Sequence, residues 1–370
     1  MGRRVVVLRG GSVNPWELRS WARVGAPYDV SVLVPEGNLH EVPGELTHVP
    51  VRTAGDRIGR ALPGAAGALA TRAVGERYLG LEERLRGADV VHAAELGYWF
   101  SWQAARLKER LGFRLVLTCW ETLPFRDAYR NVRTRRYRRD VLGATDLFLA
   151  TTERARAALL VEGAPAGRIE VAPPGIDVDR FAAAREPAVQ EGRLVLSVGR
   201  LVWEKGHQDL LRAVALLRAG GEGADLRVLI VGVGPEEGRL RRAVTDLGLD
   251  AVVELRGTVP YDELPAVYAR ASCLVLASLP VWSWEEQFGM VLAEAMAAHL
   301  PIVASTSGAI PEVVGDDATL VPPGDWVGLA EALRDLPRQA RRAPDPARLE
   351  RFSAPAAAAR LRAAYDRVLA

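Results

Sequence analysis

Cysteine is nearly absent from this 370-residue chain, with Cys119 and Cys273 far apart and each in apolar surroundings. That excludes a disulfide scaffold and a cysteine-based metal cluster. Lysine is as rare. Of 48 basic residues only Lys108 and Lys205 are lysine, and the other 46 are arginine. The five histidines do not cluster, and no serine elbow, Walker loop or zinc spacing occurs. No apolar run approaches the roughly 18–20 residues that span a bilayer. The opening Met1-Gly2-Arg3-Arg4-Val5-Val6-Val7-Leu8-Arg9-Gly10 has an apolar run too short for a signal peptide, and it ends in Arg9. It reads as a first strand. A net charge of +2, without aromatics interleaved among the arginines, argues against nucleic acid as a partner. The expectation is a soluble, cytoplasmic protein.

What is present is ordinary globular composition, 49% hydrophobic and 25% charged, at a length that suits two domains. The charge is uneven: up to Arg180 there are 27 basic and 21 acidic residues, beyond it 21 and 25. Short β-branched runs alternate with helical stretches from end to end, the pattern of parallel sheets with crossover helices. In the first half the expected strands are Val5–Leu8, Val30–Val34, Val90–His92, Leu115–Thr118, Leu147–Ala150 and Ile169–Val171, with a long helical stretch over Arg57–Leu85. The rhythm restarts at Leu194. Strands follow at Leu226–Val231, Val252–Leu255, Cys273–Ala277, Ile302–Ala304 and Thr319–Val321. Ala172-Pro173-Pro174-Gly175-Ile176-Asp177 breaks regular structure between the halves. The division expected is 1–172 as an acceptor-binding domain, 173–192 as linker, 193–352 as a donor-binding domain and 353–370 as an amphipathic tail helix. The fold class is α/β, two doubly wound parallel-sheet domains facing a cleft, with ligand loops beyond the carboxyl ends of the strands.

Two clusters carry the chemistry. Glu285-Glu286-Gln287-Phe288-Gly289-Met290-Val291-Leu292-Ala293-Glu294 follows a strand and a loop and turns helical from Phe288. On an ideal helix Glu286 and Glu294 differ by about 80° in azimuth and about 12 Å along the axis. One carboxylate for sugar hydroxyls, one for ribose hydroxyls and the free N–H groups of Phe288, Gly289, Met290 and Val291 for two phosphates match a nucleotide sugar. Glu286 also suits an ordinary first-turn acid, whereas Glu294 stands in an apolar stretch where a carboxylate needs a partner. The second cluster, Ser197-Val198-Gly199-Arg200-Leu201-Val202-Trp203-Glu204-Lys205-Gly206, puts a forked and a point cation on a loop at a strand end, as a diphosphate needs.

Weaker signals surround these. Gly10-Gly11-Ser12 follows the first strand, Thr306-Ser307-Gly308-Ala309-Ile310-Pro311-Glu312 follows a later one, and Arg256-Gly257-Thr258-Val259 offers main chain to a base edge. Asp177-Val178-Asp179 resembles an acidic metal pair but stands in the linker, so no metal is expected. His92 ends a strand and suits either packing or an acceptor contact. Glu95, Tyr98, Trp99 and Trp102 suit a carbohydrate-stacking face or a packed helix. The seven arginines Arg126, Arg130, Arg133, Arg135, Arg136, Arg138 and Arg139 suit an exposed basic helix, or a seat for an anionic acceptor or anionic membrane lipid.

Pro174-Gly175-Ile176-Asp177, Gly199-Arg200 with Lys205-Gly206, the Glu-x7-Glu of Glu286 and Glu294, and Gly308 with Pro311-Glu312 together resemble the retaining nucleotide-sugar glycosyltransferases of GT-B fold, glycosyltransferase family 4. The resemblance implies Arg200 and Lys205 on the donor diphosphate, Glu286 on the donor sugar and Glu294 on the ribose. It also implies main chain at Phe288–Val291 on sugar and phosphate, main chain near Arg256 and Val259 on the base, and Gly11 against the diphosphate. It further implies no metal or other cofactor, front-face transfer of a hexose, and a C-terminal helix crossing back to the first domain. Many relatives carry a histidine after the strand equivalent to Leu115–Thr118. Here the loop reads Cys119-Trp120-Glu121-Thr122, which makes Trp120 and Glu121 the candidate sugar or acceptor contacts, Glu121 also a catalytic one. The acceptor class, carbohydrate or lipid-linked, is open. So are rival readings as a nucleotide-sugar epimerase or a non-catalytic binding protein.

Overall fold

The computed structural model describes the chain apart from residues 1, 11–12, 14, 37, 39–41, 43–44, 62–76, 127–131, 187–191, 337–340 and 342. The chain divides into two compact units, Met1–Ile176 with Ser353–Ala370, and Asp177–Phe352.

The first unit is built on a seven-stranded sheet in the order β3-β2-β1-β4-β5-β6-β7. Its strands are β1 (Arg3–Leu8), β2 (Tyr28–Pro35), β3 (Thr47–Val51), β4 (Val90–Ala94), β5 (Arg114–Cys119), β6 (Leu147–Ala150) and β7 (Ile169–Val171). Every pair is parallel. Helices therefore cover both faces, and the strands read as continuous Val/Leu runs rather than alternating ones. Side chains still alternate between faces: Val6, Leu8, Val91, Leu115 and Phe148 enter one core cluster. Val5, Val7, Val90, Val116 and Leu149 enter the other, with Leu361 and Tyr365 of the C-terminal helix Ala354–Leu369. That helix starts where Ser353 Oγ accepts the Ala356 N–H at 3.2 Å. It packs on the helix Pro15–Ala22, and the tail of the chain belongs to the first unit.

The second unit carries β8 (Arg193–Val198), β9 (Leu226–Val231), β10 (Val253–Arg256), β11 (Cys273–Leu276), β12 (Ile302–Ser305) and β13 (Thr319–Val321) in the order β10-β9-β8-β11-β12-β13. The strand order reverses between β1 and β4 in the first sheet and between β8 and β11 in the second. At such switch points neighbouring loops diverge to opposite faces and leave a crevice for a ligand.

Three expectations are corrected. β3 was not anticipated, because Thr47-His48-Val49-Pro50-Val51 has little strand character; as an edge strand it tolerates Pro50. The stretch Arg57–Leu85 is not one helix. Ala54–Ala61 and Leu81–Leu85 are separate helices, Thr53 pairs with Tyr78, and Gly80 has φ 68°. Residues 62–76 lie outside the described part. The segment after Asp177 is not irregular linker: Val178–Ala182 is a helix of the second unit, with Phe181 buried against Tyr261 and Tyr268. Asp177 caps it, accepting the Arg180 N–H at 3.4 Å. Both cysteines are free and buried, and burial raises both thiol pKa values, Cys273 to about 12. Among the described residues no helix is long and apolar enough to cross a membrane.

Candidate functional site

In the second unit the switch-point loops are Gly199–Gly206 after β8 and 277–289 after β11. Each fixes the other. The Leu279 N–H donates to the Glu204 carbonyl at 2.8 Å. Gly206 lies at φ 69°, and a Cβ there would stand 1.8 Å from the Ala277 carbonyl oxygen, so only glycine allows this approach. The contact brings Lys205, on the 3-10 turn Trp203–Lys205, to Glu286: Nζ donates to Oε2 at 2.7 Å. The same oxygen accepts the Ser278 hydroxyl at 2.6 Å, and Nζ lies 4.9 Å from the centre of the Trp284 ring. The Lys205 and Glu286 side chains are 14% and 7% exposed, so this is an almost buried pair with further hydrogen bonding.

The loop after β12 clamps Glu286 from the other side. Its carbonyl accepts the Ala309 N–H at 2.9 Å, and its N–H donates to Ser307 Oγ at 3.4 Å. Gly308, at φ 58°, leaves room for that carbonyl; a Cβ would stand 2.1 Å from it. Arg200 is exposed, and among the described residues its guanidinium has no hydrogen-bond or ion-pair partner. Its main chain is held from beneath. Buried His207 donates Nε2–H to the Arg200 carbonyl at 3.2 Å while Nδ1 accepts the Ser197 hydroxyl at 3.0 Å. Burial lowers the His207 pKa to about 4, so this tautomer stays neutral.

The helix after these loops is Met290–Ala297, with Gly289 at φ 78° as its N-cap. This corrects the helical placement of Glu286: it lies in the loop, and the ideal-helix angle and rise to Glu294 do not apply. The N–H groups of Gly289, Met290 and Val291 lie where an α-helix supplies no internal acceptor. The Phe288 ring turns away into the core, packing edge-on against Phe352 at 5.2 Å. Glu294, on the second turn, is buried and accepts the Tyr268 hydroxyl at 2.8 Å. Burial pushes its pKa up to about 7, with the Tyr268 and Tyr261 hydroxyls opposing the shift. Arg256 and Val259 flank the exposed Gly257 and Thr258 beyond β10; the Arg256 carbonyl is already used, accepting the Gly232 N–H at 3.0 Å. The sequence places Ser307 in a loop of the site without indicating its bond to Glu286, and it gives no sign of Ser278, Tyr268 or the bracing role of His207. Only Glu294 signalled a partner, and its identity depends on tertiary packing.

In the first unit several expectations change. His92 is fully buried, with Nδ1 2.8 Å from the Tyr365 hydroxyl and Nε2 2.7 Å from Thr118 Oγ1. It packs against Trp21 and the C-terminal helix and has no nitrogen left for an acceptor. Glu121 closes its own loop: Oε1 accepts the Thr122 and Leu123 N–H groups, each at 3.1 Å, and Oε2 accepts Arg126 at 2.7 Å. One of about four lone-pair directions remains for a ligand. The half-buried Trp120 donates its main-chain N–H to Glu95 Oε1 at 2.6 Å. Trp99 and Trp102 pack on Tyr137 of the helix Val132–Ala144, each ring centre at 4.7 Å, so they join two helices rather than form an open stacking face. The arginine run is not a uniform surface. Arg138 is buried in an ion pair with Glu162, whose Oε2 lies 2.7 Å from its Nε, and Arg126 is spent on Glu121. Arg135, Arg136 and Arg139 are exposed. Gly11, Arg130 and the Arg133 side chain lie outside what is described.

Two parallel Rossmann-like sheets, the second bringing the Lys205–Glu286 pair, buried Glu294 and a helix start to its switch point, make an α/β architecture of the GT-B type. Comparison with known proteins agrees. The model for glycosyl transferases group 1 matches residues 179–351 and that for Glycosyltransferase Family 4 matches residues 18–180. The chain belongs to glycosyltransferase family 4.

It is 35% identical over 213 residues to the D-inositol 3-phosphate glycosyltransferase of Pseudarthrobacter chlorophenolicus, covering 54% of this chain and 50% of that one. It is also 35% identical over 208 residues to the GDP-mannose-dependent alpha-(1-6)-phosphatidylinositol monomannoside mannosyltransferase of Mycobacterium tuberculosis, 52% of each. The matched part is about half the length of these curated relatives. Among solved structures, Anabaena HepE in complex with UDP and glucose has TM-score 0.74 at 18% identity, covering 96% of this chain and 97% of that one. The sucrose-phosphate synthase of Thermosynechococcus elongatus has TM-score 0.73 at 19% identity, covering 99% and 98%. At these identities the structural likeness concerns the fold.

Proposed function

We propose that this protein transfers a hexose from a nucleoside-diphosphate sugar to a hydroxyl of an acceptor, with retention and without a metal ion. The observation that carries the reading is the pairing of Lys205 with Glu286 beside exposed Arg200 and the start of the helix Met290–Ala297, all at one switch point. Arg200 and Lys205 neutralise the diphosphate, and the Gly289–Val291 N–H groups receive its oxygens. Glu286, anchored by Lys205 and Ser278, receives a sugar hydroxyl. Glu294 receives ribose hydroxyls, and main chain between Arg256 and Val259 meets the base. Glu121 offers its remaining lone pair, and Trp120 its ring, to sugar or acceptor.

In the reaction the bond from the sugar's anomeric carbon to the β-phosphate oxygen breaks towards an oxocarbenium ion. The departing phosphate takes the proton of the acceptor hydroxyl, and the acceptor oxygen bonds to the same face of the anomeric carbon. Charge accumulates on the leaving diphosphate, so fixed cations and helix N–H groups lower the barrier without a protein nucleophile.

The test is thermal unfolding of the chain in EDTA with UDP, GDP, ADP and TDP, then their sugars. A nucleotide at 100 times its Kd adds about 2.7 kcal/mol. Stabilisation by one base in EDTA fixes the donor class; no response to any of them overturns the reading.

A further inference from the structure

The first sheet has its own switch point, between β1 and β4, and the residue that leaves β1 there is Arg9. Its guanidinium lies over the Trp21 ring, 4.5 Å from the ring centre, and NH2 reaches Thr118 Oγ1 only at a long 3.4 Å. Arg9 as a whole is half-buried, but Nε and NH1 are shut off from solvent and, among the described residues, have no hydrogen-bond partner. Arginine presents two forks, Nε with one terminal nitrogen and the two terminal nitrogens together, and here neither is filled. Glu17 and Glu95 lie within electrostatic reach, yet among the described residues neither closes an ion pair with Arg9.

A half-buried cation with two donors cut off from water and without acceptors is costly unless an anion completes it. The neighbours hold it ready for one. The Trp21 ring lies beneath the guanidinium carbon. Thr118 stands at the end of β5, with its hydroxyl oxygen also bonded to His92. Glu95, at the end of β4, holds a left-handed conformation at φ 59° that non-glycine residues rarely adopt. Sparsely populated backbone of this kind concentrates at ligand sites.

We propose that Arg9 is an oxyanion receptor in the first unit and that the acceptor carries a phosphate or carboxylate that its guanidinium binds. The word acceptor rests on the transferase reading above; the receptor itself does not. A forked arginine favours planar or tetrahedral oxyanions through two parallel N–H···O bonds, geometry that a lysine cannot copy. A neutral polyol offers single hydroxyl acceptors but neither the charge nor the paired oxygens of an oxyanion.

The test uses the full chain carrying Arg200→Ala and Lys205→Ala, which removes the second unit's own phosphate cations, with and without Arg9→Met. Thermal unfolding is followed against inorganic phosphate and, separately, acetate. Stabilisation by phosphate that Arg9→Met reduces at least tenfold in apparent affinity supports a phosphate-bearing acceptor. The same result with acetate alone supports a carboxylate. Equal stabilisation with and without Arg9, or none by either anion, overturns the receptor. If Arg9→Met does not fold, Arg9→Lys decides, because it keeps the charge and loses the fork: several-fold weaker anion binding supports the proposal and unchanged binding overturns it. The single variant Arg9→Met, or Arg9→Lys where Met does not fold, is then titrated with the nucleotide panel. An intact nucleotide shift places the receptor apart from donor binding. A lost shift assigns Arg9 to the donor and overturns the acceptor claim. No nucleotide shift even in the parent chain is failure of the transferase reading, which the phosphate and acetate arms do not depend on.

Discussion

Replacing Gly206 by alanine tests whether the two switch-point loops of the second unit are locked together as described. Two costs add. Placing a β-carbon on a residue at φ 69° costs about 1–2 kcal/mol in any surroundings. The new Cβ would also stand 1.8 Å from the Ala277 carbonyl oxygen, more than 1 Å inside the 3.0 Å that such atoms keep, and backbone cannot swing aside as a side chain can. Overpacking of this kind costs a further 1–3 kcal/mol or so. Gly248 separates the terms: its φ is 66°, but a Cβ there meets nothing within 4 Å. Gly248→Ala should therefore cost only about 1–2 kcal/mol in equilibrium urea unfolding, and Gly206→Ala about 2–5 kcal/mol. Opening the loops should also break the Leu279–Glu204 bond and pull Lys205 from Glu286, so Gly206→Ala alone should lose nucleotide-induced thermal stabilisation. Equal destabilisation of the two variants, with nucleotide binding intact in both, would refute the reasoning.

Arg200→Ala and Lys205→Ala should each lower kcat by on the order of 10²–10³, by analogy with losing one charge-stabilising donor; full kcat in either variant removes that residue from the diphosphate. Glu294 sets a pH dependence. Its pKa, pushed by burial from 4.5 to about 7, means the folded chain holds a proton in that window that the unfolded chain has released, so its contribution to stability falls as pH rises from about 4.5 through 7. Glu294→Gln should therefore lose less stability than the parent between pH 5 and 8, and parallel curves would contradict the burial argument. Arg138→Met leaves Glu162 buried without its cation and should cost about 3–5 kcal/mol, whereas an exposed pair would cost under about 1. Tyr365→Phe takes the hydroxyl from between Trp21 Nε1 and His92 Nδ1 and should cost about 1–3 kcal/mol in urea unfolding. No loss would mean that this hydroxyl adds nothing to the hold on the tail helix, which the Arg360 bond to the Pro173 carbonyl and the Arg367–Glu170 pair also anchor.

The strands of this fold were legible because parallel sheets bury both faces and write themselves as uninterrupted Val/Leu runs. β6, β7, β9 and β13 fall where those runs do, and only β3, an edge strand with Pro50, escaped. Helix limits were less legible. The Ala/Met/Leu run from Phe288 has helical composition throughout, but Gly289 at φ 78° delays the helix to Met290 and leaves Glu286 in a loop. Composition reports propensity. The start was decided by a left-handed glycine and by the carbonyl of Glu286 meeting Gly308, a contact between segments about twenty residues apart.

The candidate site divides the same way. Lys205 stood out through lysine scarcity and Glu294 through an apolar context, both local signals. What fixes them, Ser278, Tyr268 and His207, arrives from other elements and has no local signal. In the first unit the local signals pointed at polar residues whose capacity is mostly spent inside the fold: His92 on Tyr365 and Thr118, Arg138 on Glu162, and most of Glu121 on its own loop. Arg9 is the converse. Nothing in Leu8-Arg9-Gly10 separates it from 45 other arginines, and only the structure shows two of its nitrogens closed off from water with no acceptor among the described residues. Residue type and spacing can nominate a charged group. Whether it has donors or acceptors left for a ligand is a count that needs its neighbours, and that count turns attention in the first unit from His92 to Arg9.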